Sequence, residues 1–192
     1  MRDFINKHFL HFNAGALANC SESLRKFLED DGRLLITLAG AMSTAEIGIS
    51  LAPAIRSQKI HAICCTGANL EEDLFRLVAA KHYEKIDDWR DFSASDDLGL
   101  HERGLNRVTD VAIPEEEAIR YVEKQLLELW KDAEAAGDRR FPHEYLYDLL
   151  LHGDLDFDGD PNNSWLMSHT HRLLQRRDRQ PRPLRPPPPQ TF

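Results

Sequence analysis

Three consecutive carboxylates, Glu71, Glu72 and Asp73, close the segment TGANLEED, Thr66 to Asp73. The segment follows an apolar run, Lys59 to Cys65 (KIHAICC), and opens an amphipathic run, Leu70 to Ala80. A strand that turns sharply into a helix is the usual place for a site in an open α/β sheet. Thr66, Gly67 and Asn69 are small or cap-forming residues that let a ligand approach the backbone. Acids in the first helical turn suit the positive end of the helix dipole. They also disfavour a bare phosphate, the default guest at a helix start. A cationic ligand, or the uncharged part of a cofactor, fits better. The plainer reading is dipole compensation with no ligand, and these acids alone leave both readings open.

The elements around this stretch must position it. Arg33 to Ala39 (RLLITLA) is an apolar run that reads as a buried strand, closed by Gly40. Ser43 to Glu46 (STAE) matches a capping box, so a helix should start there and run to about Ser57. Pro53 inside it predicts a kink or an early end. Lys59 to Cys65 is the next strand, with Cys64 and Cys65 buried as small hydrophobes, and the helix after Asn69 follows. Strand, helix, strand, helix with short joins reads as βαβα with a parallel sheet and a right-handed crossover. Upstream, HFNAG (His11 to Gly15) is a turn or helix start, Ser21 caps a helix to about Glu29, and Asp31-Gly32 is a turn. Downstream, Lys81 to Arg103 is a polar excursion with a short helix. Asn106 to Ile113 (NRVTDVAI) is a third strand candidate. Pro114 and the acids Glu115 to Glu117 start a long helix that Gly137 ends. Pro142 starts another, facing Tyr145, Leu146, Leu149 and Leu150 to the core and ending at Gly153.

Other motifs carry less chemistry. Asp154 to Asp160 (DLDFDGD) begins like a calcium loop, but Trp165 stands where the bidentate Glu belongs, so an acidic surface loop is expected. His8 with His11, and His169 with His171, have no third ligand at a metal-binding spacing. No metal site is expected. The chain holds no GxSxG, Walker or GxGxxG pattern. Cys20, Cys64 and Cys65 show no disulfide or zinc spacing.

The 192 residues are 42% hydrophobic and 29% charged, ordinary for one globular domain. Net charge is −8, but residues 168–192 hold six Arg and one Asp, or +5, which leaves −13 on the first 167. Such a body repels nucleic acid and attracts cations. No apolar run is long enough for a bilayer, no signal-peptide layout opens the chain, and a reducing cytoplasm is the expected compartment. Residues 168–192 also hold six of the ten prolines and should be disordered or polyproline II.

Five segments in order carry a resemblance: HFNAG, LAGAMSTA (Leu38 to Ala45), CTGANLEEDLF (Cys65 to Phe75), NRVTDVAIPEEE (Asn106 to Glu117) and NSW (Asn163 to Trp165). Together, over about residues 5 to 167, they resemble deoxyhypusine synthase, in particular its bacterial deoxyhypusine synthase-like branch. The resemblance implies an α/β fold with a Rossmann-like parallel sheet flanked by helices, an NAD-binding domain. It implies aminobutyl transfer: NAD takes a hydride from spermidine, diaminopropane leaves, and the butylimine passes through an active-site lysine to an acceptor amine, where the held hydride reduces it. The acceptor is a protein lysine or a polyamine, and the family assembles as a homotetramer with sites shared across a dimer interface. By the same resemblance Gly40, Ala41, Met42 and Thr44 of the first loop, with Thr66, Gly67 and Ala68 of the second, would contact NAD. Glu71 and Glu72 would contact spermidine or a related polyamine, Glu72 also lying near NAD. The resemblance adds weight to a polyamine reading of the acids, since carboxylates hold polycations by charge-assisted hydrogen bonds.

Two departures stand out. Glu46 stands where bacterial relatives commonly have Gly. The family's later motifs, with the nucleophilic lysine, do not follow NSW, and Lys59, Lys81 and Lys85 lack that lysine's context. The expectation is an incomplete NAD-binding domain over 1–167, its C-terminal part missing, and an Arg/Pro-rich tail over 168–192 that looks like a reading-frame change. Such a chain would be a truncated, inactive transferase with no catalytic residue of its own. The alternative is a non-catalytic NAD- or polyamine-binding partner of a full-length paralogue.

Overall fold

The apolar runs expected as strands pair with each other. In the computed structural model, which describes residues 2–177, β1 (Leu35–Leu38) and β2 (Ala62–Cys65) are parallel, with Leu35 opposite Ala62 and Leu38 opposite Cys65. Between them runs α3 (Gly48–Arg56), and β2 feeds α4 (Gly67–Ala79). The βαβα unit is therefore present. Before it lie α1 (Arg2–His8) and α2 (Phe12–Glu29). After it come β3 (Glu84–Lys85), α5 (Ala94–Glu102), β4 (Leu105–Val108), β5 (Val111–Pro114), α6 (Tyr121–Ala136), α7 (Pro142–His152) and α8 (Trp165–Arg177).

The sheet is smaller than a Rossmann-like sheet. Among the described residues the parallel sheet has two strands, and the third candidate joins a separate antiparallel sheet of order β3-β5-β4. NRVTDVAI is a hairpin instead of one strand. Val108 pairs with Val111, and Thr109 turns at φ 60°. A β-branched residue rarely takes that backbone, so the run gave no turn signal.

The parallel strands are half-buried rather than buried. Ile36, Leu38, Ile63 and Cys65 face the core, while Leu35 and Cys64 are exposed. Period-2 alternation does this when helices cover one face only. The core lies between that face and α3, α4, α6, α7 and α8, with Ile55, Leu74, Leu149, Trp165 and Leu166 at its centre. A satellite cluster of Ile86, Leu100, Leu105 and Ala112 sits under Trp89 and Phe92.

Several local expectations move. Ser21 caps nothing; it lies inside α2 and donates to Leu17 O at 2.9 Å. STAE forms no capping box, because residues 40–47 are a chain of turns and α3 begins at Gly48. Pro53 sits inside α3 without ending it. Pro114 ends β5, and the acids after it form a wide turn, Glu115–Arg120, that continues into α6. Gly137 ends α6 at φ 65°, as expected of a left-handed cap. The boundary expected at 167 falls inside α8, where Ser168 and Thr170 are buried. A disordered segment therefore does not begin at 168. The rest of the Arg/Pro-rich tail, 178–192, lies outside the described residues.

Candidate functional site

Two loops leave the carboxyl ends of β1 and β2, and they meet. The second loop is short, because Thr66 is already the N-cap of α4. The helix starts at Gly67, two residues before Asn69, so its first turn contains no acid. This corrects the expectation that Glu71, Glu72 and Asp73 crowd the helix mouth. They lie one turn further in, and the positive end of α4 stays open to an anion. A side chain built at Gly67 would meet nothing within 4 Å, so the approach is open.

Asn69 ties the loops together. It is fully buried. Its Nδ2 donates to Gly40 O and to Thr66 Oγ1, both at 2.8 Å, and its Oδ1 accepts from Ser43 N at 3.2 Å. Thr66 Oγ1 donates to Gly40 O at 3.0 Å instead of capping its own helix. Gly40 takes φ 61°, a left-handed backbone that glycine adopts without penalty. Ser43 Oγ donates to Asn69 O at 2.7 Å and accepts from Trp165 Nε1 at 3.0 Å.

The three acids separate by role. Glu71 is exposed at the rim. Glu72 is buried, and its Oε2 accepts from Thr44 N at 3.4 Å. Burial pushes the Glu72 carboxyl up from the usual range, against the pull of Thr44. The Thr44 hydroxyl is itself buried and makes no well-formed hydrogen bond. Asp73 faces away from the loops. Its carboxylate accepts from Ser164 Oγ at 2.5 Å, Leu166 N at 3.0 Å and Trp165 N at 3.4 Å. Ser164 Oγ in turn accepts from Met167 N at 3.0 Å. Serine and Asp73 thus share the free N–H groups of the α8 start, a cap assembled from two distant segments. Burial raises Asp73 to about 6, with the Ser164 hydroxyl and the helix-start amides pulling against it.

Of the expected contact residues, hydrogen bonds across the strand ends join Gly40 to Thr66 and Thr44 to Glu72; Ala41, Met42, Gly67 and Ala68 lie on the same two segments, and Glu71 is exposed. Asn69, Ser43 and Trp165, which bind the junction internally, were not among them. Only the recurrence of NSW with the two loops hinted at that role. DLDFDGD is a surface loop, tied down by Gly159 N donating to Leu77 O at 2.9 Å. No group of three or more His, Cys, Asp or Glu able to hold a metal occurs among the described residues.

A sequence model of the deoxyhypusine synthase family matches residues 6–150. The chain belongs to the deoxyhypusine synthase family. It is 33% identical over 116 residues to a deoxyhypusine synthase-like protein of Nostoc sp., covering 57% of this chain and 27% of the relative. It is 29% identical over 147 residues to a probable deoxyhypusine synthase of Aeropyrum pernix, covering 76% of this chain and 46% of the relative. A probable deoxyhypusine synthase of Methanosarcina acetivorans is 28% identical over 106 residues, 55% of this chain and 32% of its own. The chain thus spans between about a quarter and just under half of the curated relatives it matches.

Proposed function

We propose that the described region is the NAD- and polyamine-facing part of a transferase that moves the aminobutyl group of spermidine to an acceptor amine. The observation that carries this reading is the junction of the Gly40–Thr44 loop with Thr66 and the first turns of α4 at the ends of two parallel strands. The uncapped α4 start suits an anionic group such as a pyrophosphate. Gly40, Ala41, Met42, Thr44, Thr66, Gly67, Ala68 and Glu72 would hold NAD, which when bound supplies the hydride acceptor and donor. Glu71 and Glu72 would draw the polycation by charge.

These 192 residues hold no lysine in the family's nucleophile context, so by themselves they should bind without transferring. A non-catalytic NAD- or polyamine-binding partner of a full-length paralogue is the second reading, favoured by the outer face of β1 and β2, where Leu35 and Cys64 are exposed among the described residues. Homo-oligomer assembly in the cytoplasm fits either; no described helix is long and apolar enough to cross a membrane. Calorimetric titration tests the first reading. NAD should bind saturably, with Glu72→Gln weakening NAD or spermidine at least tenfold. No heat with either ligand would end it.

A further inference from the structure

The loop at residues 40–47 has no regular structure of its own, only turns. Its shape depends on what it leans against. On one side that is Asn69. On the other it is Trp165, 122 residues away from Ser43 in the chain and only 2% exposed. The indole N–H is the second partner of Ser43 Oγ, whose own proton goes to Asn69 O. Ser43 therefore has both its donor and one acceptor site fixed in direction. A hydroxyl held at both ends cannot rotate, and the adjacent backbone from Gly40 to Thr44 is fixed with it. Trp165 is held in its turn. It is the first residue of α8, and its backbone N–H donates to buried Asp73, on the same helix that carries Asn69 and Glu72. The ring closes from loop to helix to helix and back to the loop.

From this ring we infer that Trp165 is a positioning residue for the cofactor-side loop, acting through Ser43 and touching no ligand itself. The inference rests on the NAD reading for its consequence, though not for its geometry. Trp165 sets the loop that NAD would lie against, so losing the indole N–H loosens residues 41–46 before it loosens the core.

The test uses the full chain and three variants. Trp165→Phe removes the N–H donor and keeps a buried ring. Ser43→Ala cuts the same bond from the loop side and the Ser43–Asn69 bond with it. Leu166→Ala weakens the same helix without touching Ser43, and controls for general loss of packing. Amide hydrogen exchange should rise at least tenfold across residues 41–46 in Trp165→Phe and Ser43→Ala, while Leu166→Ala leaves that segment protected. NAD dissociation constants should rise about fivefold to tenfold in the first two, and the double variant should be no worse than the worse single. Equal loop exchange in Trp165→Phe and Leu166→Ala would overturn the inference, as would additive losses in the double variant. If Trp165→Phe does not fold, benzothienylalanine at position 165, which keeps the fused ring and lacks the N–H, takes its place. Should wild type bind no NAD, the functional reading fails while the exchange comparison still decides this one.

Discussion

Asp73 shows how a residue's neighbours, rather than its type, set its role. In sequence it is the third of three equal acids; in the fold it is a buried cap for a distant helix. Its folded-state value of about 6 lies above the ordinary 3.8. The folded state therefore holds the proton more tightly than the unfolded chain. Stability from this group is full below about pH 4 and is lost as pH rises through 6, by roughly 3 kcal/mol at most. Glu72, also raised by burial, adds in the same direction. Asp73→Asn should flatten the fall in denaturant stability between pH 4 and pH 6; an unchanged slope would refute the assignment. Glu46 is a second case. It adopts φ 57° and pairs with Arg76. A left-handed backbone costs a non-glycine residue about 1–2 kcal/mol, which explains why glycine suits this position. Glu46→Ala should be less stable than Glu46→Gly by about 1 kcal/mol in urea melts. The placing of Gly40, Thr66 and Gly67 at the strand ends was legible because turn residues announce themselves. The split between Glu71, Glu72 and Asp73 was not, since it depends on what each side chain meets across the fold: solvent, Thr44 and the distant start of α8.

At the scale of elements, legibility followed local signals. The βαβα order, the α6 stop at Gly137 and the α7 start at Pro142 all rest on caps and periodicity within a few residues. The hairpin of β4 and β5 was hidden because its two-residue loop is Thr109-Asp110 and lacks glycine. Only Thr109 of the pair has positive φ, the position where a tight hairpin favours Gly. Thr109→Gly should therefore raise stability by about 1 kcal/mol, offset in part by chain entropy; a lower melting midpoint would count against that turn geometry. The α8 start was equally hidden. Its cap comes from Asp73, 91 residues before Ser164, and no local window spans that distance.

Over the whole molecule, apolar surface is unevenly spent. α1 has no buried residue and α2 only Gly15, while Phe4, Leu10, Phe12, Leu17, Leu24 and Phe27 are exposed, Phe12 by 96%. So many exposed large apolar side chains on two neighbouring helices suit an interaction face. The protein should sediment as more than one copy, and Phe12→Ser with Phe27→Ser should shift it toward one; a wild-type monomer at every concentration would sink this. The sequence marked a helix only from Ser21 to about Glu29, and gave no sign that the apolar side chains of α1 and α2 stay uncovered in the described fold. The clasp between Ser43 and Trp165 also has a consequence in time. A ribosome adds residues at about 5–20 per second, so on the order of 10 s separates the synthesis of Ser43 from that of Trp165. For that interval the loop exists without its brace. The region of the nascent chain made early is thus among the last to be finished, and it is where a chaperone or protease would find this protein open.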